Sequence, residues 1–139
     1  MTDIVFVDTN ILIYAHDRDA NSKRRNAASA LEKLWSDKTG RVSVQVLQEF
    51  YVTVTKKLGT PLARAAAREI IRTYTPWVQA PTTPETVIRA TELSELAQLS
   101  FWDGLIVAAA EQVGATTILS EDMNTGQVIA GIRIVNPLT

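Results

Sequence analysis

The sequence predicts an α/β fold in which a central parallel sheet of about five strands is flanked by helices on both faces. Three observations carry that expectation. Ile4 to Val7 are apolar on both strand faces, as a strand buried between two helical layers must be. Extended and helical patterns alternate along the chain, the order that a parallel sheet with helical crossovers demands. No repeat, low-complexity segment or long linker interrupts the alternation.

The first strand covers residues 4 to 8, and a short helical stretch follows it. Ser22 to Lys38 read as a helix because Ala27, Leu31, Leu34 and Trp35 recur at helical spacing, with Thr39-Gly40 as the stop. A short strand over Arg41 to Val44 leads into a helix striped by Leu47, Phe50, Val54 and Leu58 and ended by Gly59. Thr60-Pro61 has the form of an N-cap followed by a first-position proline, and the helix it opens carries Leu62, Ala66 and Ile70 on one side. Arg64, Arg68 and Arg72 lie on the other. Pro76 breaks that helix, and Trp77 to Ala80 form a short edge strand before Pro81. Thr83-Pro84 restarts a helix with Val87, Ala90, Leu93 and Ala97 at helical spacing. Ser100 caps the next, which is apolar nearly all round and therefore central. Gly114 ends it, and "TTILS" and "GIRIV" supply the last two strands.

Length and composition bound the function. At 139 residues the chain fits one domain over 1–139, which can bury about two-thirds of its unfolded surface without staples. Cysteine is absent, which excludes a disulfide framework, thiolate metal ligands and a cysteine nucleophile. The start Met1, Thr2, Asp3 has no basic segment, and the apolar run Leu105 to Ala110 is too short to span a bilayer, so a soluble, cytoplasmic protein without membrane contact is expected. A net charge of −1 argues against an indiscriminate nucleic-acid binder. The charges are nevertheless uneven: residues 1–72 are net +4 and residues 73–139 net −5. That asymmetry fits either a polyanion docking beside a metal pocket or an ordinary solvated surface.

Chemistry concentrates on four acids. Asp8 ends the apolar run of the first strand, where a charge is costly unless something positive meets it. Glu49 in "VLQEFY" lies a helical turn beyond the second strand, Asp103 in "SFWDGLIVAAA" opens the central helix, and Asp122 in "LSEDMNTGQ" follows the penultimate strand. Ligands of parallel sheets bind outside the carboxyl ends of the strands, and all four acids map to that edge. Each also has a plainer role. Asp8 suits an N-cap, Asp103 stands at capping-box spacing from Ser100, and Glu49 in a first helical turn is favoured by the helix dipole. Together they would repel unless a cation joined them. Hard oxygen ligands without His or Cys select Mg²⁺ or Mn²⁺, and the chemistry then implied is metal-assisted hydrolysis of a phosphodiester. Thr9, Asn10, Ser120 and Asn124 flank the acids and suit a supporting shell that orients carboxylates, although each is also an ordinary turn or cap residue.

The motifs "VDTNILIYA", "EF", "DGLIVAAA" and "ILSEDMNTGQ", in this order and across essentially the whole chain, closely resemble the PIN domain, in particular VapC-type toxins of bacterial toxin–antitoxin pairs. The resemblance implies a three-layer Rossmann-like PIN fold and a Mg²⁺- or Mn²⁺-dependent endoribonuclease. Its acidic quartet falls on Asp8, Glu49, Asp103 and Asp122, with Asn10 and Ser120 as polar support. It also implies a homodimer silenced by an antitoxin protein that inserts a segment into the active-site groove. Where some PIN domains carry a further acid, this chain has Asn124, which would weaken a second metal site or leave it to form with RNA bound.

The remaining features carry less. Arg24 and Arg25 in "SKRR", and Lys56-Lys57 on the Glu49 helix, are candidate contacts to RNA phosphates, whereas Arg64, Arg68 and Arg72 read as a solvated face. Glu121 reads as a solvent-facing acid, and His16, the only histidine, as a surface or satisfied residue rather than a general base. Trp35, Trp77 and Phe101-Trp102 suit core packing or a dimer contact better than base stacking. An aspartyl-nucleophile phosphatase would need an acid where Asn10 stands, and a phospho-receiver would need a lysine after the last strand. The stronger rival is a non-catalytic binding module of the same fold with a vestigial metal site.

Overall fold

Residues 3–139 are described in a computed structural model. Its sheet contains β1 (Ile4–Val7), β2 (Gly40–Arg41), β3 (Ala115–Leu119), β4 (Val128–Ile129) and β5 (Ile132–Val135), in the order β2-β1-β3-β5-β4. The pairs β1–β2, β1–β3 and β3–β5 are parallel, and only β4–β5 is antiparallel. The flanking helices are α1 (Thr9–Ala15), α2 (Ser22–Asp37), α3 (Val44–Lys56), α4 (Arg64–Tyr74), α5 (Pro84–Ala97) and α6 (Phe101–Gln112). The mostly parallel five-stranded α/β sheet expected from the alternating pattern is therefore present. No helix among the described residues is long and apolar enough to cross a membrane.

The chain leaves β1 toward β2 on one side and returns to β3 on the other, which opens a crevice at the carboxyl end of β1. Phe6, Val7, Ile118 and Ile134, from the three inner strands, are fully buried, as are Ile11, Leu12 and Phe50 of the helices beside them. Burial of each such side chain is worth roughly 1.5–3 kcal/mol relative to exposure. Backbone bonds bring the strand ends into line: Asp8 N–H donates to the Leu119 carbonyl at 2.9 Å and Ser120 N–H to the Val135 carbonyl at 3.0 Å.

α6 is buried over seven consecutive residues, Gly104 to Ala110. Its approach to α5 depends on Gly104, where a Cβ would lie 2.6 Å from the Ala90 carbonyl oxygen. The glycine beside Asp103 thus sets how deep the start of α6 sits.

Several local expectations are corrected. The second strand spans only Gly40–Arg41, because Ser43 already caps α3 and accepts from Val46 N–H. Trp77 to Ala80 do not form an edge strand: Thr75–Trp77 make a 3₁₀ turn, and Val78 contributes a single parallel bridge to Val42. Trp77 instead stacks with Trp35 and Tyr74 and covers Gly40, where a Cβ would lie 2.5 Å from its ring. Thr60-Pro61 does not start a helix. Thr60 Oγ1 donates to Asp19 instead, Leu62 N–H bonds to the Val54 carbonyl, and α4 begins at Arg64. Its inward face is Ala67 and Tyr74 rather than Ala66, and on α5 Thr86 replaces Val87, which is exposed. The β4–β5 hairpin was not expected, since its turn residues Ala130 and Gly131, both at positive φ, lack the usual Asn-Gly or Asp-Gly signal.

Candidate functional site

The strand–turn–helix at β1–α1 places the first acid. Asp8 is the N-cap of α1, so its carboxylate accepts the Thr9 N–H at 2.8 Å through Oδ1. Its Oδ2 accepts the Ser120 hydroxyl at 2.7 Å across the β1–β3 seam. The cap reading and the site reading are therefore both realised by one side chain. Asp8 is only 6 % exposed, and that burial raises its carboxyl to about 6. The Ser120 hydroxyl and Thr9 N–H pull the value back down, while the charges of Asp103 and Asp122 push it further up.

Glu49 comes from the second turn of α3, not the first as expected, and its Oε1 accepts the Thr9 hydroxyl at 2.7 Å. Asp103 lies in the first turn of α6, where its N–H donates to the capping Ser100 hydroxyl at 3.1 Å. Desolvation raises its carboxyl, and Asp122 and Glu49 add to the rise against the opposing Ser100 bond. Asp122 sits in the loop after β3, its Oδ2 accepting from Asn10 Nδ2 at 2.9 Å. Asn10 Oδ1 in turn accepts from Glu121 N–H at 3.2 Å, so one amide ties the start of α1 to that loop.

Asp8, Glu49, Asp103 and Asp122 all line one open cleft of about 460 Å³ at the carboxyl end of the sheet. Thr9, Asn10 and Lys57 line it as well. Among the described residues none of the four acids is held in a salt bridge. Nor do three acidic or imidazole side chains stand together as a ready cation cage. Asp8, Glu49 and Asp122 each spend an oxygen on a neighbouring hydroxyl or amide. The donor chemistry fits a hard divalent cation: carboxylate oxygens without sulfur or imidazole on the lining, and two carboxyls raised first by burial and further by the neighbouring acids' charge.

Other candidates lie elsewhere. Asn124 is exposed and does not reach the cleft, and Arg24, Arg25 and Lys56 are exposed outside its lining. Glu121 does not point free into solvent: it accepts the Tyr14 hydroxyl at 2.6 Å and pairs with Lys23 at 2.6 Å. The Lys23 and Tyr14 bonds hold its carboxyl below the usual range. His16 packs edge-on to Phe50 and Tyr74, away from the acids, and burial followed by the Arg24 charge lowers its imidazole. Trp102, expected in a core or dimer contact, is 61 % exposed at the rim of the cleft. Sequence reasoning also missed Gln45 and Gln48 on the lining. Their three-residue spacing on α3 with Gln48 next to Glu49 was the available signal.

Comparison with known proteins agrees with the fold. The PIN domain family model matches residues 5–128. Among solved structures, a toxin–antitoxin complex from Klebsiella pneumoniae superposes with a TM-score of 0.68 at 23% identity, covering 96% of this chain and 97% of that one. VapBC2 from Rickettsia felis, bound to a DNA fragment from its promoter, gives 0.61 at 20% identity over 96% and 98% of the two chains. VapC20 of Mycobacterium tuberculosis, a sarcin-ricin loop cleaving toxin, gives 0.62 at 22% identity over 93% and 98%. No curated protein sequence matches the chain.

Proposed function

The chain belongs to the PIN domain family, and on that premise we propose that it is a divalent-metal-dependent endoribonuclease and the toxin of a toxin–antitoxin pair. The observation that carries the reading is the convergence of four acids, none held in a salt bridge among the described residues, on one cleft at the carboxyl edge of the sheet. Asp8, Glu49, Asp103 and Asp122 are the catalytic, metal-holding residues. These four carboxylates would hold Mg²⁺ or Mn²⁺, which would supply Lewis-acid polarisation of a phosphate and activation of a water. Thr9, Asn10 and Ser120 keep three of the carboxylates oriented through the bonds described, and Lys57 supplies the positive charge nearest a phosphate on the same lining. Arg24, Arg25 and Lys56 extend that contact outside the cleft. A cognate antitoxin is the partner that the toxin–antitoxin complexes sharing the fold support; a homodimeric state and action in the cytoplasm complete the reading.

The second reading is a non-catalytic PIN-fold binding module with a vestigial metal site, favoured by the carboxylates' being bonded to neighbours rather than gathered around a cation point. Antitoxin-free protein incubated with RNA and Mg²⁺ or Mn²⁺ decides between them. The nuclease cleaves, EDTA stops it, and Asp8→Ala abolishes cleavage while the circular dichroism spectrum is kept. A folded protein that cleaves no RNA with either metal is the binding module. Growth arrest on expression alone, relieved by co-expressing the neighbouring reading frame, tests the toxin assignment. Harmless expression in a sensitive host refutes it.

A further inference from the structure

A second groove of about 430 Å³ adjoins the acid cleft and shares three lining residues with it, Gln45, Gln48 and Trp102. Its other walls include Val44, Pro81 and Leu105, and no charged residue lines it. A groove without a cation is not built for a phosphate, yet it is continuous with the cleft where a phosphate would meet the metal. Its size falls within the roughly 300–1,000 Å³ range of small-ligand sites.

Trp102 is the unusual wall. It stands one residue before Asp103 in the first turn of α6, is 61 % exposed, and has Phe101 edge-on at 5.1 Å as its aromatic neighbour. The other tryptophans, Trp35 and Trp77, are stacked with Tyr74 in a separate cluster. Beneath Trp102 lies Gln45, only 8 % exposed. Its Nε2 donates to the Trp102 carbonyl at 3.3 Å, which fixes the amide orientation, because the reverse would set two acceptors against each other. Gln45 Oε1 is left buried with no hydrogen-bond partner. A buried acceptor without a partner calls for a donor, and a ligand entering either of the two cavities that Gln45 lines would bring one.

Building on the ribonuclease reading, we propose that this groove is a nucleobase subsite: the base next to the scissile phosphate stacks on the Trp102 indole and presents an N–H of its edge to Gln45 Oε1. Oε1 is shielded in the free protein, so this bond requires the groove wall over it to open as the base enters. The Gln45 Oε1 acceptor favours bases whose edge projects an exocyclic amino group over uracil, whose only edge donor, N3–H, is flanked by two carbonyl acceptors, so Trp102 supplies affinity and Gln45 preference.

The test reads binding in EDTA, which keeps it independent of cleavage. Short single-stranded oligo(A), oligo(G), oligo(C) and oligo(U) RNAs are titrated into the protein, following tryptophan fluorescence and anisotropy of labelled RNA. RNA quenches the emission, Trp102→Phe loses the quench but retains most of the affinity, and Trp102→Ala binds about 5- to 100-fold more weakly. Gln45→Leu keeps oligonucleotide binding but narrows the spread of affinities among the four RNAs. Matching circular dichroism and melting curves show the variants folded. Unchanged RNA affinity in a folded Trp102→Ala protein overturns the proposal, even if metal-dependent cleavage is intact. A change in sedimentation from dimer to monomer in that variant, with RNA affinity unchanged, overturns it in favour of a contact between copies. Absence of metal-dependent cleavage in a protein that still binds RNA through Trp102 removes the nuclease reading and leaves the subsite.

Discussion

Replacing Asp8 by Asn should stabilise the metal-free protein at neutral pH, although it removes a residue assigned to catalysis. Burial raises the Asp8 carboxyl from the ordinary 3.8 to about 6. An acid whose folded pKa lies above its unfolded one supports folding in its neutral form. That support is complete below about 4, falls as pH rises through 6, and is gone above it. With ~1.4 kcal/mol per pKa unit, the charged carboxylate costs the fold ~3 kcal/mol at pH 7.5. In Asp8→Asn the amide oxygen still accepts the Thr9 N–H, and the weaker Ser120 bond to a neutral partner is already contained in that net figure. The expectation in EDTA is a gain of up to ~3 kcal/mol at pH 7.5 that vanishes near pH 4, measured by urea denaturation at the two pH values. Added Mn²⁺ should reverse the order, since only the wild type gains binding free energy. An Asp8→Asn protein less stable than wild type at pH 7.5 in EDTA, or a difference independent of pH, would refute the reasoning.

Ser120→Ala removes the hydroxyl that donates to Asp8 and accepts the Met123 N–H; it should destabilise by ~1–3 kcal/mol, more at pH 7.5 than at pH 4, in the same denaturation assay. Gly104→Ala forces a Cβ to 2.6 Å from the Ala90 carbonyl oxygen, and equilibrium unfolding should show a loss of ~1–3 kcal/mol, with cleavage reduced because α6 carries Asp103. Lys57→Ala, on the cleft lining and exposed, should raise KM for RNA several-fold and lessen its salt dependence, whereas Arg25→Ala, outside the lining, should change KM less; equal effects would detach Lys57 from the substrate path.

The sheet and the acid positions were legible because they rest on dense local signals. The apolar run ending at Asp8, the Ser100 cap before Asp103 and the apolar α6 are each written in a few neighbouring residues. What failed depended on distant partners. Trp77 leaves a strand-like segment for a 3₁₀ turn because Gly40 and Trp35 offer its ring a place to pack, and Thr60 gives up its capping role to Asp19. Glu121 is bound rather than free because α1 and α2 bring Tyr14 and Lys23 to it. Trp102 departs from the core-packing alternative for a different reason: its apolar neighbours in sequence lie inside α6, but the second residue of a capped helix can face outward.

The bonds that close the cleft have a consequence for the order in which the molecule is made. Ser120 and Asp8 are separated by 112 positions, as are Asn10 and Asp122. A chain emerging during synthesis can form α1 to α5 in sequence, but Asp8 has no hydroxyl partner and β1 no β3 until residues 115–122 have followed. Pairings of such long separation are slow to form, and a domain generally folds as a unit once its chain is available. The acids therefore come into register only when more than four-fifths of the chain exists, so a prematurely truncated product would carry Asp8 without ever assembling the cleft around it.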